Sequence, residues 1–163
     1  MLTIDDRELQ AAVLAFRLAD RGLRNRINDS TREQFNGPWR AGIAAAADTQ
    51  LERRVLVPGA RIAAGNPPVF VAAGSRRPLS GGLVPDTQWA GVEFGADDTV
   101  TSYTRRSPKG TVHRVTRHTR RQLPRRRKHG PVFTTVSEFS PRAASLWAQI
   151  IVRVYVDAAA GRA

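Results

Sequence analysis

Thr99-Val-Thr-Ser-Tyr103-Thr-Arg105-Arg106-Ser-Pro-Lys109-Gly-Thr-Val-His113-Arg114-Val-Thr-Arg117-His118-Thr-Arg120-Arg121-Gln-Leu-Pro-Arg125-Arg126-Arg127-Lys128-His129 is the stretch on which the reading of this chain turns. It opens on an alternating segment, Thr99 to Tyr103, that reads as a strand. From Arg105 to His129 it then carries eleven of the chain's 26 Lys and Arg residues and no Asp or Glu. Fifteen basic groups remain elsewhere to face the 14 acidic ones, so almost all of the +12 net charge belongs to this segment. Apart from Val112, Val115 and Leu123 it holds little apolar material, too little for a core element. The expectation is a long loop or ordered arm, of a length that usually signals function or disorder. Charge concentrated in this way suits a polyanionic or acidic partner.

The segment divides an α+β chain. Ahead of it, three more short runs read as strands: Arg54 to Val57, Pro68 to Ala72 and Gln88 to Phe94. With Thr99–Tyr103 these predict a short antiparallel sheet of about four strands. A flexible loop, Gly74-Ser-Arg-Arg-Pro-Leu-Ser-Gly-Gly82, separates the second from the third. Residues 1–50 read as helical. Thr3 is a candidate N-cap, followed by Asp5, Asp6 and Glu8 at the positive end of the helix dipole. Leu9, Val13, Phe16, Leu23 and Ile27 form an apolar stripe that Asp20 interrupts. This predicts one helix of up to about thirty residues, stopping at Gly37-Pro38, and a second from Pro38 through Ala47. After the arm, a helix is expected to start at Ser140-Pro141, with Ala143, Leu146, Trp147, Ile150, Ile151 and Val154 on its apolar face. A strand over Ile150–Val156 is the competing reading. The chain is thus expected to be a single domain, with helices in 1–50, strands in 51–104, a basic arm in 105–130 and a C-terminal helix within 131–163.

Several chemistries are excluded or disfavoured. There is no Cys, which removes disulfides, thiolate metal sites and cysteine nucleophiles. The three histidines, His113, His118 and His129, all lie among arginines, where positive charge opposes a bound cation; no metal site is expected. Paired carboxylates at Asp5/Asp6 and Asp97/Asp98 suit a helix start and a turn rather than an acid–base dyad. No phosphate-binding loop or nucleophile elbow is present, so neither catalytic residues nor a cofactor are expected. Trp39, Trp89, Phe94 and Trp147 fall on apolar faces and read as core. The acidic, periodic N-terminus is unlike a signal peptide. No run approaches the roughly eighteen apolar residues of a bilayer span, so a soluble, cytoplasmically folded protein without a membrane partner is expected.

Two segments resemble a known family. Trp89-Ala-Gly-Val-Glu-Phe-Gly95 is similar to the VEFG-type strand of phage tail-component proteins. Leu123-Pro-Arg-Arg-Arg-Lys-His-Gly-Pro-Val-Phe133, followed by Pro141-Arg through Leu146-Trp147 to Arg153, resembles the C-terminal half of actinobacteriophage members. These are tail-completion or head–tail connector proteins of long-tailed phages. The resemblance implies a structural virion protein of the neck, assembled in the host cytoplasm as a hexameric or dodecameric ring. It also implies contacts with neighbouring neck or tail proteins and genomic DNA in the lumen. The contact residues expected from the arm are Arg105, Arg106, Arg114, Arg117, Arg120, Arg121, Arg125, Arg126, Arg127 and Lys128. The alternative reading is a free nucleic-acid-binding protein that uses the same segment electrostatically.

Overall fold

The computed structural model describes residues 6–80, 82–97, 99–118, 123 and 129–161. The first helix, α1, spans Asp6–Leu18 and ends where the apolar stripe is broken. Asp20, extended at φ −67 and ψ 175, is the N-cap of α2 (Arg21–Ala46) and accepts a 2.8 Å hydrogen bond from the Leu23 N–H. The interruption of the stripe by Asp20 was therefore a helix boundary, and the expected thirty-residue helix is two helices. Replacing Asp20 by Ala should cost about 1 kcal/mol, the usual value of such a cap, and Asn should restore most of it. A urea titration of the two variants checks this.

Conversely, the break expected at Gly37-Pro38 does not occur, because α2 continues through Pro38. Proline inside a helix costs about 3 kcal/mol. The residues on either side explain why the helix persists. Ile27, Thr31, Phe35, Trp39 and Ile43 recur every fourth position as one buried stripe, and keeping Trp39 and Ile43 in phase with Phe35 requires continuous helix. Burying each such large side chain contributes about 1.5–3 kcal/mol, so together they outweigh the proline.

Helix α3 (Gln50–Leu56) replaces the expected strand over Arg54–Val57. A capping box starts it: the Glu52 N–H donates to Thr49 Oγ1 (3.2 Å), while Glu52 Oε2 accepts from the Thr49 N–H (3.1 Å). Strands β1 (Arg61–Ala63) and β2 (Val69–Val71) pair antiparallel, Ile62 opposite Phe70. The second of these lies within the expected Pro68–Ala72 strand. Helix α4 (Pro85–Phe94) takes the place of the expected Gln88–Phe94 strand, with Pro85 in its first turn and Gly95 ending it at φ 82. The seven-residue strands β3 (Val100–Arg106) and β4 (Val112–His118) form a second antiparallel pair. Helix α5 runs Pro131–Ala159, starting well before the expected Ser140 cap and continuing through Pro141 and the alternative Ile150–Val156 strand. The α+β class stands, but the expected four-stranded sheet is two separate two-stranded sheets. The expected Thr3 cap lies outside the described residues.

The core lies where α2 and α5 meet, flanked by α1 on α5 and by β1 on α2. Phe35, Trp39, Phe70 and Phe139 form one aromatic cluster joining α2, β2 and α5, with ring centroids 5.0–6.0 Å apart. Polar groups along the sheet edge are satisfied from α2. The Trp39 indole N–H donates to the Val71 carbonyl (2.9 Å), Arg40 Nε to the Ala60 carbonyl (2.6 Å), and Asn36 Oδ1 accepts from the Ile62 N–H (2.7 Å). Phe16 of α1 meets Trp147 of α5 at 6.1 Å, and the Tyr155 hydroxyl donates to the Ala15 carbonyl at 2.6 Å. Among the described residues, no helix is long and apolar enough to cross a membrane.

Candidate functional site

Half of the stretch expected to be a long loop or ordered arm is a β-hairpin. Pro108-Lys109-Gly110 closes it: the Gly110 N–H donates to the Ser107 carbonyl and the Ser107 N–H to the Thr111 carbonyl, both at 2.9 Å, with Gly110 at φ 85. This is the three-residue hairpin loop in which a turn is followed by a left-handed residue, a position that favours glycine. Ser-Pro-Lys-Gly between two alternating runs was the sequence signal, obscured by the charge.

Side chains alternate across the hairpin, and the register assigns them to two faces. On one lie Thr101, Tyr103 and Arg105, opposite Arg117, Val115 and His113. On the other lie Val100, Ser102, Thr104 and Arg106, opposite His118, Thr116, Arg114 and Val112. Each face therefore carries two arginines, and Lys109 sits at the tip. No arginine is directly opposite another. Arg106 and Arg114 are diagonal neighbours, about 7–8 Å apart at Cβ. At such separations in water, like charges repel by only about 0.5 kcal/mol, which the hairpin tolerates. Arg117 lies over the Tyr103 ring at 5.3 Å, and Ser102 Oγ meets Thr116 Oγ1 at 3.2 Å. The sequence paired Tyr103 with its neighbours Arg105 and Arg106; the register gives it Arg117 instead.

Neither face is covered. Tyr103, Val115 and His118 are half-buried and every other strand residue is exposed, Val100 and Val112 both at 56%. Among the described residues, neither strand makes more than marginal contact with a helix or with β1–β2. An isolated two-stranded hairpin is marginally stable at best, so an uncovered cationic ribbon adds little to folding. Among the described residues, the ion pairs lie elsewhere, at Arg32–Asp29 (2.7 Å), Arg76–Asp86 (3.1 Å) and Arg153–Asp157 (3.9 Å). Of the expected contact residues, Arg105 and Arg106 are on β3 and Arg114 and Arg117 on β4. Arg120, Arg121, Arg125, Arg126, Arg127 and Lys128 lie outside the described residues.

The hairpin leaves the body where α4 meets α5. Ala96, two residues past α4, donates its N–H to the Leu123 carbonyl at 3.2 Å. Glu93, in the last turn of α4, is fully buried and accepts from the N–H groups of Val132 (3.1 Å) and Phe133 (2.9 Å). It caps α5, whose own N-cap, Gly130, has no side chain to do so. A Cβ on Gly130 would collide with the Glu93 backbone oxygen and approach its carboxyl carbon to 2.7 Å. The Trp89–Gly95 segment is therefore a helix end that caps another helix, and the VEFG-type strand expected there is absent. Phe94, expected in the core, is 44% exposed, as is Phe133. Together with Trp89 and His129 they form a row of contacting rings with centroids 5.5–5.9 Å apart at the hairpin's root.

Comparison with protein families, with curated proteins and with solved structures gives no match to this chain.

Proposed function

We propose that this chain is a structural subunit of the neck of a long-tailed phage and that the β3–β4 hairpin is its contact arm. The observation that carries the reading is the hairpin itself. Four arginines and a lysine stand on a ribbon that makes no more than marginal contact with the other described elements, the arrangement of an arm built to meet another molecule. The order of elements also supports it: N-terminal helices, small sheet, basic segment, long closing helix. The tail-component resemblance now rests on the basic segment and the C-terminal helix, not on a strand at Trp89–Gly95. A ring of identical subunits further requires two different surfaces that fit each other. The groove between α1 and α5, lined by Ala11, Ala12, Ala15, Ala148, Val152 and Val156, offers an apolar surface for such a contact.

Mass spectrometry of purified phage particles carrying this gene tests the reading. A neck ring gives a small integer ratio to the portal protein, about one half or about one for a closed ring. In the variant with Arg105, Arg106, Arg114 and Arg117 all replaced by Ser, exposed substitutions should each change stability by no more than about 0.5 kcal/mol. The folded variant should be missing from particles. Absence of the unaltered chain from clean particles, with binding to nucleic acid retained near physiological salt, would establish the free nucleic-acid-binding reading instead.

A further inference from the structure

We infer that the hairpin's ligand is duplex DNA, held sequence-independently, with the ribbon standing edge-on in the major groove. The inference rests on the hairpin being the working arm of the proposed function and names what that arm grips.

The distribution of charge over two faces is the first argument. A flat partner, such as the acidic face of a protein, would engage one face and leave the other pair of arginines in water. Arg105 and Arg117 point one way and Arg106 and Arg114 the other, so a partner with anionic walls on both sides uses all four. The major groove is such a partner: about 12 Å wide, it admits a two-stranded ribbon between two rows of phosphates. Length agrees as well. Seven residues per strand, at about 3.4 Å each, make a ribbon of about 24 Å, which spans about seven phosphates on each wall. Thr101, Ser102, Thr104, Thr111 and Thr116 add hydroxyl groups of the kind that hydrogen-bond phosphate oxygens. A second copy of the chain is a poor electrostatic alternative. Outside the basic segment its fifteen cationic and fourteen acidic groups nearly cancel, so it offers no net anionic body to receive the arm.

Fluorescence anisotropy of the full chain with a labelled duplex of about twenty base pairs, titrated across salt, tests this. Each phosphate neutralised contributes about −0.9 to the slope of log K against log salt, so R105S/R117S and R106S/R114S should each make the slope shallower by about 1.8. Equal losses in the two double variants support engagement of both faces. Loss in only one, or in neither, overturns the inference. A-form duplex RNA, whose major groove is too deep and narrow to admit the ribbon, should compete poorly; competition equal to DNA also overturns it. A variant with all four arginines changed to Lys controls for folding, because it keeps the charge and should keep the slope. If the slopes do not change while particles still contain the chain at a fixed ratio, the DNA assignment fails and the neck reading stands. Shallower slopes in both double variants, with no chain in particles, give the reverse: the DNA assignment stands and the neck reading fails.

Discussion

Replacing Glu93 by Ala should destabilise the protein by about 2–4 kcal/mol, among the largest effects of any single change outside the aromatic core. The carboxylate occupies the positive end of α5 and takes the N–H groups of Val132 and Phe133, and it is fully buried. Removing it leaves two donors without acceptors at about 1–3 kcal/mol each. It also removes a favourable charge–dipole interaction of up to about 2 kcal/mol in partly buried settings. Against this stands the cost of holding a carboxylate out of water, which is why the net is smaller than the sum. Glu93→Gln keeps one acceptor oxygen but turns an amide donor toward a backbone donor, so it should fall between, at about 1–2 kcal/mol. Chemical denaturation followed by circular dichroism measures both. If Glu93→Ala unfolds at the same urea concentration as the unaltered chain, the cap is not what holds α4 to α5.

Trp39→Ala should cost still more, about 3–5 kcal/mol from lost burial and the cavity left behind. Trp39 is fully buried, touches Phe70 and Phe139, and supplies the N–H that satisfies the Val71 carbonyl. Domains of this size have only about 5–15 kcal/mol in total, so the variant should be largely unfolded at moderate temperature. Trp39→Phe separates the two contributions: it keeps an aromatic ring, gives up the hydrogen bond, and should lose about 1–2 kcal/mol for the carbonyl left unsatisfied. Thermal melts of the pair decide it. A Phe variant as damaged as the Ala variant would mean that the indole's shape and N–H, not aromatic bulk alone, organise the α2–sheet contact.

Both residues show how far a local reading goes. Trp39 was legible as core because it lies on the apolar side of a helix. Glu93 was not, because its partner is about forty positions away and nothing local distinguishes a buried capping carboxylate from a solvated one. The alternation of Gln88–Phe94 pointed to a strand, whereas Pro85 at one end and Gly95 at the other pointed to a helix; the latter prevailed. Thr49 and Glu52 carried a capping-box signature ahead of Val55 and Val57, and their hydrogen bonds outweighed the β-branched side chains. The early start of α5 at Pro131 was hidden for the reason that hid Glu93: its N-terminus is completed by another helix. At the candidate site, the sequence located the cations by number and left their geometry open. Arg105, Arg106, Arg114 and Arg117 become two opposed pairs only through the pairing of β3 with β4.

What the sequence determined by itself are the quantities that need no partner: where the charge is concentrated, which faces are apolar, and the α+β class. What only the tertiary structure decided are the features whose energy comes from distant residues. The passage of α2 through Pro38 depends on Trp39 and Ile43 finding their places against the sheet and α5. The cap on α5 depends on α4 ending beside it. The ribbon is exposed because no other described element covers it. Local hydrogen bonds and charge are written in neighbouring residues, whereas burial depends on which surfaces meet.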